Sequence, residues 1–282
     1  MRSVLVTGGS SGIGAATVRR FAHGGDQVWF TYRLGRDRAH AIVAELEQGG
    51  WPPPSAFELS QGDWQSHRAL LADLPGPVDV LVNNAAVGST TVEWHAPGPP
   101  EARDQAFFQI NCVGPLWLIQ QLAPAMLSRG YGKIVNISSV HGGVSQFPGF
   151  HIADGMSKAA LAYLTRQLAA ELAHSPVDVF ALCPGAVETS MFEASTLAGL
   201  TPQERRELEQ RLPKGRLIRP AEIAELIWWL CGEAAAVLHG AVIDASMGLG
   251  THPGLLTGQV IASHGRSGTV ADPKTDARAG GD

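Results

Sequence analysis

Val4-Leu5-Val6-Thr7-Gly8-Gly9-Ser10-Ser11-Gly12-Ile13-Gly14 is the stretch whose reading decides the fold. It opens on a short apolar run of strand type, passes through a glycine-rich turn and enters a helical apolar period over Gly12–His23. Glycines there allow a tight turn and let the backbone come close to a bound group. The helix that follows presents free N–H groups and the positive end of its dipole. Gly8, Ser10, Ser11, Gly12, Ile13 and Gly14 are therefore read as a cradle for a pyrophosphate.

Outward from this turn, apolar β-rich runs alternate with helix-period segments. The expected strands are Val4–Thr7, Val28–Tyr32, Ala56–Leu59, Val78–Val82, Lys133–Ser138, Val177–Cys183 and Ala241–Asp244. Helices are expected at Gly12–His23, Arg36–Gln48, Glu101–Leu127, Asp154–Ala173 and Ala221–Glu233. The alternation predicts an α/β fold, a Rossmann-type doubly wound parallel sheet with helices on both faces. Such a sheet binds ligands at the carboxyl ends of its strands, where the winding reverses. A single domain is expected over residues 1–252, with a C-terminal extension over 253–282 whose Gly/Asp/Ala/Pro-rich end reads as disordered. The long connection 188–219, with one helical piece at Pro202–Leu212, reads as a lid beside a pocket.

The chain has 282 residues, a net charge of −5 and no basic block, so nucleic acid is not an expected partner. Apolar sequence begins after three residues, too early for a signal peptide, and no run is long enough to cross a membrane. Cys112, Cys183 and Cys231 are scattered, without the spacing of a metal site or a disulfide framework. A cytoplasmic protein with no metal is the expectation.

Thr7-Gly8-Gly9-Ser10-Ser11-Gly12-Ile13-Gly14 resembles the cofactor motif of the short-chain dehydrogenases/reductases, and further motifs follow in that family's order. Asn83-Asn84-Ala85-Ala86 resembles its Asn-Asn-Ala-Gly, and Asn111 falls where it places an active-site asparagine. Ile134-Val135-Asn136-Ile137-Ser138-Ser139 resembles its fifth strand, with Ser139 as the active-site serine. Ser157-Lys158-Ala159-Ala160-Leu161 matches the segment of its lysine, and Pro184-Gly185-Ala186-Val187-Glu188-Thr189 resembles its nicotinamide-side turn. The resemblance implies a nicotinamide cofactor touched by Asn84, Ala85, Lys158, Pro184, Gly185, Val187 and Thr189. It also implies a homodimer or homotetramer.

The second strand ends Phe30-Thr31-Tyr32-Arg33, without the acid that would hold the ribose hydroxyls of NAD. Arg33, with Arg36 and Arg38 close behind, suits a 2′-phosphate instead, so NADP(H) is the expected cofactor. Ser60 stands where the family often has an aspartate near the adenine.

The family's chemistry uses Tyr-x-x-x-Lys, with the tyrosine as proton donor to a carbonyl oxygen. Four residues before Lys158 stands Asp154. On a helix the Asp154 carboxylate and the Lys158 ammonium are expected to be neighbours. Tyr32 belongs to the adenosine end, Tyr131 to the wrong end of the sheet, and Tyr163 lies about 140° around the helix from Lys158. His141 and His151, on the loop between Ser139 and Asp154, are candidate proton donors. That loop is slightly longer than the family's. A ketone needs a proton as hydride arrives, whereas an iminium needs none and is oriented by an anion. The favoured reading is an NADPH-dependent imine or iminium reductase with Asp154, Lys158, Ser139 and Asn111 as catalytic residues. Three others stay open: a carbonyl reductase with a substitute acid, a non-redox cyclase, isomerase or lyase, and a catalytically inactive nucleotide-binding protein. Trp94, Phe147, Phe150, Met191 and Phe192 point to an apolar or aromatic small-molecule substrate.

Overall fold

The structure, a computed structural model, describes residues 1–148 and 150–252. The extension at 253–282 lies outside the described residues. The chain runs β1 (Ser3–Val6), α1 (Gly12–His23), β2 (Gln27–Tyr32), α2 (Arg36–Gln48), β3 (Ser55–Glu58), α3 (Trp64–Asp73) and β4 (Val80–Asn83). It continues through α4 (Pro100–Phe108), α5 (Gly114–Arg129), β5 (Gly132–Ile137), α6 (Ile152–Glu171) and β6 (Val177–Pro184). Last come α7 (Ser190–Phe192), α8 (Pro202–Arg211), α9 (Pro220–Leu230) and β7 (Val242–Ala245).

Among the described residues the strands form one seven-stranded sheet in the order β3-β2-β1-β4-β5-β6-β7, and every pairing is parallel. The near-continuous apolar strands follow from burial on both faces. Side chains alternate across the sheet. Val4, Val6, Phe30 and Val82 pack with Phe21, Ile42 and Ile227 of α1, α2 and α9. Leu5, Leu81 and Ile134 pack with Leu70, Leu118 and Met126 of α3 and α5 on the other face. Each such fully buried side chain is worth about 1.5–3 kcal/mol. The winding reverses between β1 and β4, where Val6 pairs with Val82, and a crevice opens beyond their carboxyl ends.

Two expected elements are corrected. The helix expected over Glu101–Leu127 is divided: α4 and α5 are joined by a π-helical turn at Gln109–Val113, where the Gly114 amide bonds the Gln109 carbonyl. The turn ends where the helix passes close to Gln61: a Cβ on Gly114 would stand 2.3 Å from the Gln61 carbonyl oxygen. A π-turn absorbs an extra residue without breaking the apolar stripe, so periodicity does not reveal it. The helix expected to start at Asp154 starts at Ile152, which puts Asp154 in its first turn. The segment expected as a lid carries α7, a π-helical turn at Glu193–Leu197 and α8, closed at its start by a Thr201–Glu204 capping box. Leu197, Leu208 and Leu212 pin it to Ala186 and Leu217. No helix among the described residues is long and apolar enough to cross a membrane.

Candidate active site

The crevice is one cavity of about 900 Å³ that runs from the β1–α1 turn to the lid. Gly8, Ser10, Ser11, Gly12 and Ile13 form its floor at one end. Gly8 sits at φ +68°, and a Cβ on it would meet the Ala85 Cα at 2.9 Å. Gly14 is off the cavity wall, and a Cβ there would lie 2.2 Å from the Gly8 carbonyl oxygen, so the turn itself requires a glycine. Ser11 occupies the N-cap of α1 but makes no side-chain capping bond, leaving the helix's first amides to an anion. The second motif clamps the first. Thr7 Oγ1 accepts from the amides of Asn84 (3.0 Å) and Ala85 (2.9 Å), and Asn84 Nδ2 donates to the carbonyl of Thr7 at 2.9 Å.

At the adenosine end a side pocket of about 260 Å³ is lined by the residues from Arg33 to Arg38, Asp37 among them. A Cβ on Gly35 would stand 2.6 Å from Ser10 Oγ and 2.8 Å from an Arg38 nitrogen, so a hydroxyl and a guanidinium converge here. Arg33 lines both cavities and donates from Nη1 to Nδ1 of His95. Burial first, then the Arg33 cation, lowers the His95 imidazole to about 4. Arg36 lines the same pocket and pairs with Glu58 at 2.9 Å. Ser60 is off the cavity wall, its amide bonded to Ser66 Oγ, while Leu59 and Gln61 line it. The Gln61 carboxamide is buried without a partner.

At the nicotinamide end Pro184, Gly185, Val187 and Thr189 line the cavity, and Thr189 Oγ1 caps α7 by accepting from the Phe192 amide. Lys158 is buried and donates from Nζ to the Ile137 carbonyl at 3.2 Å. Burial holds this ammonium below the usual lysine range. Ser139 lines the cavity and accepts from the His141 amide, so its hydroxyl proton remains for a ligand. Asn111 sits in the π-turn behind the wall. Its side chain is engaged by the Val87 amide and carbonyl (2.8 and 3.0 Å) and by Ser157 Oγ at 3.0 Å. These bonds tie it to the loop after β4.

Asp154 faces the cavity, but the contact pair with Lys158 is not formed. The carboxylate accepts instead from Ser89 Oγ at 3.3 Å, while the lysine reaches for the Ile137 carbonyl. Burial raises the Asp154 carboxyl above the usual range, against the opposing pull of Lys158, His141 and Ser89. Among the described residues on the cavity wall Asp154 is the one acid. Trp94, His141, Phe147, Phe150, Met191 and Phe192 line the same cavity. The His141 ring lies against Gly155, where a Cβ would be 2.5 Å from Nε2, and neither of its nitrogens has a partner. His151 sits at the rim, 3.8 Å from Asp104. No tyrosine lines the cavity: Tyr32 is in the core, Tyr131 is near Lys133, and Tyr163 is 64% exposed. Ser89 and His95 carry no motif and escape sequence reasoning.

The uncapped helix end, the close-approach glycines and the arginine pocket fit a nicotinamide dinucleotide. The comparisons agree. The family model for short chain dehydrogenase matches residues 2–198. The chain is 32% identical over 254 residues to an acetoacetyl-CoA reductase of Rhizobium meliloti (strain 1021), covering 88% of this chain and 98% of that protein. It superposes on a single-substitution variant of actinorhodin polyketide ketoreductase solved with NADPH, with a TM-score of 0.78, 32% identity and coverage of 88% and 97%. A 3-oxoacyl-[acyl-carrier protein] reductase from Brucella melitensis with bound NAD gives a TM-score of 0.75, with 26% identity and coverage of 88% and 90%. The chain belongs to the short-chain dehydrogenase family of NAD(P)-dependent oxidoreductases.

Proposed function

We propose that the chain is an NADPH-dependent reductase of carbon–nitrogen double bonds, acting on an apolar iminium or imine. The observation that carries this reading is Asp154: the one acid on an aromatic-lined wall, at the place of the family's tyrosine. A carboxylate on a cavity wall shared with Trp94, Phe147, Phe150 and Phe192 suits a cation, because ring faces and anion both attract positive charge. When bound, the nicotinamide would supply the hydride. Gly8, Ser11, Gly12 and Ile13 would hold its pyrophosphate, Arg33, Arg38 and Ser10 its 2′-phosphate, and Lys158 with Pro184–Thr189 its nicotinamide half.

The protein's own part is electrostatic. An ionised Asp154 orients the iminium nitrogen and offsets its charge until the hydride neutralises the carbon–nitrogen unit. No proton need come from the protein. For a neutral imine, Asp154 in its acid form, which burial favours, gives its proton to nitrogen and becomes the counter-ion. Ser139 offers a hydroxyl to a polar substituent, and the lid residues Met191, Phe192 and Leu208 exclude water.

A second reading is favoured by the relatives, whose printed activities are carbonyl reductions. In it Asp154, kept protonated by burial, donates to a carbonyl oxygen held by Ser139. The deciding assay measures NADPH and NADH consumption with cyclic imines and with their ketone counterparts. Imine turnover with NADPH and none with the ketones supports the proposal. Ketone turnover with no imine activity overturns it.

A further inference from the structure

We propose that His95 is a positioning residue for cofactor choice, accepting a hydrogen bond from Arg33 and thereby holding that guanidinium over the pocket that takes the 2′-phosphate of NADPH. The inference rests on the NADPH reading above and adds to it a residue 62 positions from Arg33 in the chain. The backbone at His95 is anchored by its own turn. Thr91–Trp94 forms a 3₁₀ turn in which Thr91 Oγ1 accepts from the Gly88 amide at 2.9 Å. The amides of His95 and Ala96 both return to the Val92 carbonyl, at 3.0 and 2.9 Å. Val92 is buried against Phe107 and Ile110. The imidazole thus comes from a fixed support.

Arg33, by contrast, is a long side chain at the end of β2, whose freedom would be lost on gripping a phosphate. Arginine carries donors only, so Nδ1 of His95 must be the acceptor, with the ring neutral and its proton on Nε2. Burial beside a cation keeps the ring in that state at neutral pH. One guanidinium N–H is used and four remain for an anion. The pocket beneath is completed by Ser10 Oγ and Arg38, which converge at Gly35. Asp37 sits on the same wall, and Arg33 adds to the positive charge that Arg36 and Arg38 set against it. Arg36, on the same wall, is shared with Glu58 at 2.9 Å.

The test uses the full chain and reads binding without turnover. Isothermal titration with 2′,5′-ADP and with 5′-AMP separates the phosphate from the rest of the nucleotide. His95→Leu should weaken 2′,5′-ADP roughly tenfold, the scale of one hydrogen bond, and leave 5′-AMP unchanged. His95→Gln, which keeps an acceptor, should recover most of the loss. In steady state His95→Leu should raise KM for NADPH and leave kcat unchanged. In an Arg33→Ala background His95→Leu should have no further effect. Tighter 2′,5′-ADP binding by His95→Leu would overturn the proposal, marking His95 as a competitor for Arg33. Equal losses for both nucleotides would overturn it as well, marking a structural role. If Arg33→Ala itself leaves 2′,5′-ADP binding unchanged, the NADPH reading fails. If Arg33→Ala weakens it and His95→Leu does not, only the assignment of His95 fails.

Discussion

Thr7→Val tests how the two nucleotide-binding motifs are joined. Thr7 is fully buried, and its Oγ1 accepts from the Asn84 and Ala85 amides at 3.0 and 2.9 Å. Valine fills the same space but offers no acceptor, so two main-chain donors lose their partners. An orphaned donor costs about 1–3 kcal/mol when dry. Asn84 and Ala85 are half-buried, so water restores part of each bond and the sum should be about 2–3 kcal/mol. At roughly 2–4 °C per kcal/mol for a domain of this size, Tm should fall by about 4–12 °C. The loop carrying Asn84 and Ala85 lines the cavity, so NADPH affinity should fall as well, by about tenfold. Thermal unfolding and fluorescence titration with NADPH read the two effects, and Thr7→Ser, which keeps the hydroxyl, should restore both. A valine variant with the parent's Tm and affinity would refute the clamp.

Asp154→Asn should make the cofactor-free protein more stable at neutral pH. Burial raises the Asp154 pKa in the fold, so its favourable contribution is complete below the ordinary carboxylate value of 3.8 and is lost as pH rises through the raised value. The stability gap between variant and parent, read by urea unfolding, should therefore widen with rising pH; a gap independent of pH would contradict it. Lys158→Met should lower cofactor affinity and turnover together, since the buried ammonium faces the cavity. Parent-like titration and kinetics in that variant would remove Lys158 from the site. The exposed apolar residues Ile152, Met156 and Tyr163 share one side of α6 and suit a contact with a second copy. Sedimentation should give a dimer or tetramer that Met156→Lys weakens, and a monomeric parent would contradict the expectation.

The βαβ frame was legible because its signals are local: glycines at a forced turn, apolar strands and helical periods. Arg33 was legible for the same reason, as a base where an acid belongs. Arg36 could not be told from it by sequence, because its pairing with Glu58 depends on where β3 lies. The i, i+4 rule placed Asp154 and Lys158 on one face of α6. It could not foresee that Ser89, from the loop after β4, and the Ile137 carbonyl, from β5, draw the two side chains apart. Ser89 and His95 lie in a loop without periodicity, and their roles exist only once β2, β4 and α6 are assembled. The π-turn keeps the apolar stripe in phase, and the need for glycine at 114 shows only once the Gln61 carbonyl lies behind it.

The most direct test of Asp154 uses an N-methylated cyclic iminium, cationic at every pH, with NADPH. If the carboxylate anion orients the cation, kcat/KM should rise with pH through the Asp154 pKa and then level off. Asp154→Asn should be independent of pH and lower by roughly 10²–10³-fold, the effect of losing one preorganised group at a reacting centre. Undiminished reduction by Asp154→Asn, or a parent rate that falls as pH rises, would contradict the account.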